Sequence, residues 1–307
     1  MTSLQLVLRG LIYYWRTNAA VVLGVATAVA VLAGALLVGD SVHGSLRDLV
    51  LQRIGRTDRI LVSSGFFRAA LADDLRDDPT FASSFDGVCP IIAVEGLASD
   101  PAGGRRASRV QVYGIDDRFW RFHGRREGRR PEGREALVSQ ALASDIGVTV
   151  GGALVLRVER PSAIPIESIH GRKDDAGRAM RLTVRAIIGP ADLGEFSLRP
   201  QQGPVRAVFV PLARLQQDLN LLGRVNTLLV SDSGARPAPL ESLIRKRFAL
   251  EDVGLSIRAV GGGQIAVESA SGLLDAARAN VVDAAAASMG LKAQPVLTYL
   301  ATSIRSG

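Results

Sequence analysis

The sequence predicts an α+β protein with a single N-terminal transmembrane helix and stalk, followed by a two-lobed α+β domain outside the bilayer. Two observations lead to this fold class. An uncharged run over residues 19–39 is long enough to cross a bilayer. After it, short segments rich in Val, Ile and Leu alternate with short helical patterns, as is typical of an α+β domain. Hydrophobic residues make up 47% of the 307 residues, which is enough for a folded core.

The uncharged run predicts a transmembrane helix. Its 21 residues would form an α-helix about 31 Å long, close to the hydrocarbon thickness of a bilayer. Basic and aromatic residues precede the run, and such side chains favour the membrane interface. These predicted interfacial anchors are Arg9, Tyr13, Tyr14, Trp15 and Arg16. We therefore predict a cytoplasmic or interfacial amphipathic segment over residues 1–18, including a short helix over residues 4–16.

A cleaved signal peptide is the alternative to a retained anchor. Ala33-Gly34-Ala35 is similar to a small-residue cleavage site. The apolar run is longer than the core of a typical signal peptide, however, and 18 residues precede it. These two features favour the retained anchor.

Small residues recur at helical spacing within the predicted span. Gly24 with Ala28 and Ala30 with Gly34 form two small-xxx-small pairs. Such pairs let two helices approach closely in lipid, so they predict packing against other helices. The alternative is that Ala and Gly are simply common in this composition.

The helical pattern continues beyond the predicted span. One face carries Val42, Leu46, Leu49, Val50 and Ile54. We predict that the helix extends as a stalk over residues 40–56. The alternative is an ordinary core-facing helix at the start of a soluble domain.

The remaining chain predicts a core domain over residues 57–262, and a helix and strand over residues 263–307. One lobe would combine residues 57–98 with 205–260, and the second would span about 108–200. Aromatic residues are only 5% of the chain, which predicts an aliphatic core. The predicted strands are 57–63, 88–97, 108–115, 154–159, 182–188, 205–210, 227–230, 255–260 and 295–304. The predicted helices are 67–76, 139–146, 212–221, 240–248 and 269–289. Charged, turn-rich loops are predicted at 124–133 and 164–178.

The formal net charge of +7 comes mostly from arginine. The densest arginine cluster spans residues 105–134, where glycines and Pro131 interrupt it. Its arginines are not arranged as a recognition face, so nucleic acid is not an expected partner. A solvated loop and a patch that touches anionic lipid both remain open.

No motif predicts catalysis, a metal site or a bound cofactor. No lysine follows a glycine, so the chain has no Walker A motif. Cys89 lies in an apolar run and is predicted to be a buried hydrophobic residue. The three histidines lack partners at metal-ligand spacing; His43 is expected at the membrane exit, and His123 and His170 in loops.

Several segments together resemble the FtsX/MacB type of ABC transporter permease and its periplasmic core domain. The stalk opens with Gly39-Asp-Ser-Val-His-Gly-Ser-Leu-Arg47, and the domain opens with Arg56-Thr-Asp-Arg-Ile-Leu-Val62. Val112-Tyr-Gly-Ile-Asp-Asp-Arg-Phe-Trp120 is similar to the segment that leads into the second lobe. Glu135-Ala-Leu-Val-Ser-Gln-Ala-Leu-Ala143 and Ile146-Gly-Val-Thr-Val-Gly-Gly-Ala-Leu154 resemble a recurrent strand, helix, Gly-Val, Gly, strand unit.

This resemblance implies a subunit of the bacterial inner membrane, with a cytoplasmic N-terminus and a main domain in the periplasm or outside the cell. It implies a separate ATPase subunit that binds ATP and Mg, and a second permease copy or paralogue. It also implies that helix motion driven by ATP reaches the outer domain, which handles a cargo or adaptor protein.

Permeases of this type carry further transmembrane helices after the outer domain, whereas this sequence ends at Gly307. We therefore expect it to be the N-terminal part of such a permease. Two alternatives remain: a single-pass, membrane-anchored periplasmic binding or scaffold protein without transport activity, and a membrane-tethered enzyme.

Overall fold

The computed structural model describes residues 9–10, 12–125, 130–158, 178–201, 203–234, 239–269 and 274–296. It confirms the mixed α+β class and the long apolar helix near the N-terminus. The helices are α1 Trp15–Ile54, α2 Leu71–Arg76, α3 Pro79–Ser84, α4 Asp117–Phe122, α5 Gln140–Ile146, α6 Leu212–Leu219, α7 Leu240–Arg247 and α8 Ala276–Ser288. The strands are β1 Arg59–Arg68, β2 Phe85–Ser99, β3 Arg106–Ile115, β4 Glu135–Ser139, β5 Ala153–Val158, β6 Arg178–Ile188, β7 Ala207–Pro211, β8 Arg224–Asp232, β9 Leu255–Gly261 and β10 Gln264–Ser269.

Helix α1 runs for 40 residues through both the predicted span and the predicted stalk. Its most apolar 18-residue window has a mean hydropathy of 2.7 and is 0% buried within the protein. By length and composition it can cross a membrane. Gly55 ends the helix with a positive φ of 59°, and its N–H donates to the carbonyl oxygen of Leu51.

Eight strands form one sheet in the order β1-β8-β2-β3-β7-β4-β6-β5, and β5 also pairs with β2. The last pairing closes six strands, β2, β3, β7, β4, β6 and β5, into a ring that we call the barrel. Strands β1 and β8 extend the sheet beyond the barrel. A closed ring leaves its strands without free edges, so the barrel is protected against edge-to-edge association.

Strand β2 belongs to both parts of the sheet. Its first half pairs with β8 as far as Ile91, and its second half pairs with β3 from Ile92 onward. The side chain of Asn226 spans the changeover, because it both donates to and accepts from the backbone of Ala93 at 2.8 Å. The amide thus takes over the strand-to-strand hydrogen bonding where the β8 pairing ends.

Aliphatic side chains fill the barrel interior. Each strand of the ring contributes inward-facing residues that are almost fully buried, among them Ala98, Val110, Val112, Val138, Leu156, Leu182 and Val208. This agrees with the predicted aliphatic core. A second cluster on the outer face of β3, β7 and β4 is aromatic instead, with Tyr113, Phe119, Trp120, Phe196 and Phe209. The few aromatic residues are therefore concentrated at one place.

The topology differs from the sequence expectation at β7. The sequence grouped residues 205–260 with 57–98, whereas β7 lies between β3 and β4 and pairs in parallel with β3. Parallel pairing joins segments far apart in sequence, so local patterns do not reveal it. Two helix boundaries also differ: β1 continues to Arg68 before α2, and α8 begins only after Asp275, which caps it. The strand predicted over residues 295–304 lies mostly outside the described residues.

The hydroxyl of Ser139 links β4 to α5 and to β7. It lies between β4 and α5, is 0% exposed, and accepts from the N–H of Leu142 at 3.2 Å and of Ala207 at 3.0 Å. We predict that Ser139→Ala lowers the free energy of unfolding by about 2 kcal/mol, because it leaves two buried N–H groups without acceptors. Urea denaturation in detergent measures the change. Ser144→Ala, at an exposed position of α5, is the matched control and should change stability by less than about 0.5 kcal/mol.

Candidate functional site at the helix–domain junction

The end of α1 is held in the domain by one buried arginine. Arg53 is 7% exposed, and its Nη2 lies 2.8 Å from Oε2 of Glu195. The same guanidinium donates to the carbonyl oxygens of Gln201 and Gly203, and the N–H of Ser197 donates to the carbonyl oxygen of Arg53 at 3.4 Å. A planar guanidinium with several partners fixes a direction as well as a position. The orientation of the helix end is therefore set by the segment over residues 195–203.

Gly55 permits the close turn out of the helix. Its φ of 59° with ψ of −127° strongly disfavours a side chain. A Cβ there would also come within 2.5 Å of Nδ1 of His123 and 3.2 Å of Cδ2 of Leu193. Two independent constraints thus require glycine at the position where the helix meets the domain.

His123 contacts the chain directly after α1. It follows α4, is 6% exposed, and its Nδ1 accepts from the N–H of Arg56 at 3.2 Å. Rings of Phe119, Phe122 and Phe196 surround it with centroid distances of 4.6, 5.0 and 5.4 Å. The acceptor role of Nδ1 assigns the proton of the neutral ring to Nε2. Burial, with the nearby cations Arg125 and Arg56, lowers the pKa of His123 to about 3.

These contacts fix the end of α1 against the domain. The ion pair between Arg53 and Glu195 orients the last turn of α1. Directly after it, the chain turns at Gly55 against the imidazole of His123, which three phenylalanine rings surround. We call Arg53, Gly55, His123 and Glu195 the joint.

Sequence reasoning did not identify the joint. Arg53 is one of four arginines that follow the span, together with Arg47, Arg56 and Arg59, and nothing in the local pattern marks it as the buried one. His123 was expected in a loop and instead ends α4 as a buried residue. Asp116 caps α4, where its side chain accepts from the N–H of Arg118 at 2.9 Å.

The residues predicted for the membrane lie on the exposed surface of the helix. The packing residues Gly24, Ala28, Ala30 and Gly34 are all exposed, and a Cβ at either glycine would meet no atom within 4 Å. The anchors Arg9, Tyr13, Tyr14, Trp15 and Arg16 are exposed as well. Their roles stay predictions. Residues 1–8 and 11, which complete the predicted interfacial helix, lie outside the described residues.

The predicted stalk face changes character along its length. Val42, Leu46 and Val50 are exposed, whereas Leu49 and Ile54 are half-buried. The fully buried residue of the last turn is Arg53, which lies beside Ile54 and was not assigned to that face.

The other residues considered for chemistry are structural. Cys89 is fully buried, and burial raises the pKa of its thiol. Nδ1 of His43 lies 2.8 Å from the carbonyl oxygen of Gly39 within α1. His170 lies outside the described residues, as do most of the loop predicted at 164–178 and part of the one at 124–133. In the described part of the chain, no group of three or more His, Cys, Asp or Glu side chains could hold a metal ion.

No protein-family model matches the chain, and a search of curated proteins finds no relative. Among solved structures, it is similar to the periplasmic region of MacB from Actinobacillus actinomycetemcomitans, with 12% identity and a TM-score of 0.40 over 76% of this chain and 96% of that one. It is also similar to the extracellular domain of the noncanonic ABC-type transporter YknZ from Gram-positive bacteria, with 12% identity and a TM-score of 0.36 over 60% and 86%.

Removing the arginine of the joint should destabilise the protein. We predict that Arg53→Met lowers the free energy of unfolding by about 2 kcal/mol, because it removes the charge-assisted hydrogen bonds to half-buried Glu195 and to two carbonyl oxygens. Denaturation followed by tryptophan fluorescence measures the change, since Trp120 is buried in the adjacent aromatic cluster. Arg47→Met, at an exposed position of the same helix, is the control. Equal losses in the two variants would contradict a specific role for Arg53.

His123 should make the stability of the protein depend on pH. The unfolded chain takes up a proton near pH 6.5, whereas the folded His123 does so only near pH 3. Stability from this group is therefore present above pH 6.5 and is lost as the pH falls towards 3. Between pH 7.5 and 5.0 we expect a loss of about 2 kcal/mol, which His123→Asn removes and His43→Asn does not. Denaturation at the two pH values tests this, and an unchanged pH slope in His123→Asn would contradict it.

Proposed function

We propose that this chain is a permease subunit of an ABC transporter, which transmits ATP-driven motion of its membrane helices to a domain outside the membrane. The observation that carries the proposal is the unbroken course of α1 from the predicted span to the buried Arg53. The resemblance of its stalk and core segments to permeases of the FtsX/MacB type supplies the class of protein.

The stalk is suited to transmit force. From the end of the predicted span to Ile54 it has 15 residues, which as an α-helix extend about 22 Å. A flexible linker of that length would absorb a movement of the span, whereas a helix carries it. The joint then passes rotation and displacement to the barrel, because Gly55 and the contacts of Arg53 leave the chain little freedom to turn.

The proposal places the N-terminus in the cytoplasm, α1 in the inner membrane, and the barrel in the periplasm or outside the cell. ATP and Mg would bind to a partner ATPase subunit. A second permease copy or paralogue would pack against α1 in the membrane, and a cargo or adaptor protein would meet the outer domain. The transporter would export a cargo or move a cargo within the cell envelope.

The test combines co-purification with a measure of movement. The chain is co-expressed with a candidate ABC ATPase subunit and reconstituted in nanodiscs. Val150 is exposed in the turn before β5 and Cys89 is fully buried, so Val150→Cys can be spin-labelled selectively. We expect ATP turnover that depends on the permease, and an ATP-dependent change in the distance between labels on the two copies.

Inserting three glycines after Gly55 should abolish this distance change while ATP turnover continues. The matched control is the same insertion in the turn of the β9–β10 hairpin, between Gly261 and Gly263, which should leave the distance change intact. The proposal fails if no ATPase co-purifies, or if the ATP turnover is the same with and without the chain. The alternative function, a membrane-anchored binding or scaffold protein, is then favoured.

A further inference from the structure

Exposed arginines project from the barrel on a face formed by the ends of β2 and β3 with β5 and β6. Ser99 pairs with both Arg106 and Val155, and Val155 pairs with Arg181. Directly opposed residues of antiparallel strands project to the same side of a sheet. Arg106 and Arg181 therefore share one face and are separated by three inter-strand spacings, or about 14 Å.

Arg157 completes the group. It lies two residues after Val155 on β5, and it pairs with Leu97 of β2 and Ala179 of β6. Side chains two residues apart along a strand point to the same side. Arg106, Arg157 and Arg181 thus project together, and we call this surface the arginine face.

The arginine face points away from the barrel interior. On each strand the residues that alternate with it are buried in the aliphatic core, namely Ala98, Ala107, Leu156, Met180 and Leu182. The joint contacts other outward surfaces, because its partners belong to the cluster over β3, β7 and β4. Among the described residues, the barrel therefore has one outward surface that contacts the joint and another that carries exposed arginines.

The three arginines have no carboxylate at ion-pair distance among the described residues. All three are exposed. Neighbouring arginines behave differently: Arg185 pairs with Glu135, and Arg199 pairs with Glu95, the next outward carboxylate on β2. The arginine face therefore retains its positive charge for a partner.

Aliphatic side chains lie between the charges. Leu97 and Val155 are half-buried; Leu97 lies opposite Arg157, and Val155 lies opposite Arg181. Arginine and apolar groups together are typical of protein interfaces, and the guanidinium forms paired hydrogen bonds to a carboxylate. A lipid headgroup or a polyphosphate chain would use the charges and leave the aliphatic side chains without contacts.

We propose that the arginine face binds an acidic polypeptide segment that also carries aliphatic residues. The inference deepens the proposed function, since it assigns a place and a chemistry to the protein partner outside the membrane. A binding assay on this face needs neither ATP nor the ATPase, so its failure would leave the transport proposal standing.

The assay measures fluorescence anisotropy of a labelled peptide built from Glu-Ala-Glu-Leu repeats, titrated with the full chain in detergent. The double variant Arg157→Gln/Arg181→Gln should bind about tenfold more weakly, because two charge-assisted contacts are lost. The control Arg47→Gln/Arg121→Gln has the same charge loss at exposed positions on α1 and α4, and it should bind like the wild type. Arg157→Lys/Arg181→Lys should fall between them, since lysine keeps the charge and loses the paired geometry.

Two comparison ligands complete the test. The same peptide with Gln in place of Glu should not bind. Inorganic polyphosphate should bind the wild type and Arg157→Gln/Arg181→Gln with equal affinity. The proposal is overturned if that variant binds the acidic peptide like the wild type, or if the control loses affinity equally. Polyphosphate binding as tight as the peptide's and equally sensitive to the variant would overturn the assignment to a polypeptide.

Discussion

The burial of a single guanidinium governs how the helix and the domain are joined. A buried charge is tolerated only with a partner and with its hydrogen bonds satisfied. Arg53 meets this requirement through Glu195 and the carbonyl oxygens of Gln201 and Gly203. Because those partners lie on one segment, the helix end and that segment are ordered together. Loss of these contacts would leave the buried guanidinium of Arg53 without its partners.

The same segment closes the aromatic cluster. Phe196 directly follows Glu195, and its ring packs against Tyr113 and Phe119 at centroid distances of 5.0 and 5.2 Å. Edge-to-face contacts of this kind add to the stabilisation from burial. The ion pair that orients the helix therefore also holds the aromatic ring that seals the outer face of the barrel. Orientation of the helix and packing of the domain are one cooperative unit.

How much the sequence predicts depends on how local each feature is. The apolar run and the Val- and Ile-rich segments predicted α1 and most strands, because periodicity reports local structure. Strand β4 was expected only through the resemblance of residues 135–143 to a permease unit. The parallel pairing of β7 and the partners of Arg53 join distant segments, 142 residues apart for Arg53 and Glu195, and no local pattern encodes such a contact. Composition was misleading in one respect, since a chain with few aromatics places five of them in one cluster.

The closed barrel is suited to both proposed roles, a body that moves with α1 and a surface that binds a protein. Six strands paired on both edges cannot shear past one another without breaking their ladders, so a displacement applied at the joint moves the barrel as a whole. The arginine face lies on that same body, on strands whose inward residues form the shared core. A protein held there would be carried by any movement of α1, without a conformational change inside the domain. In this proposal rigidity, and not flexibility, links α1 to the protein held on the arginine face.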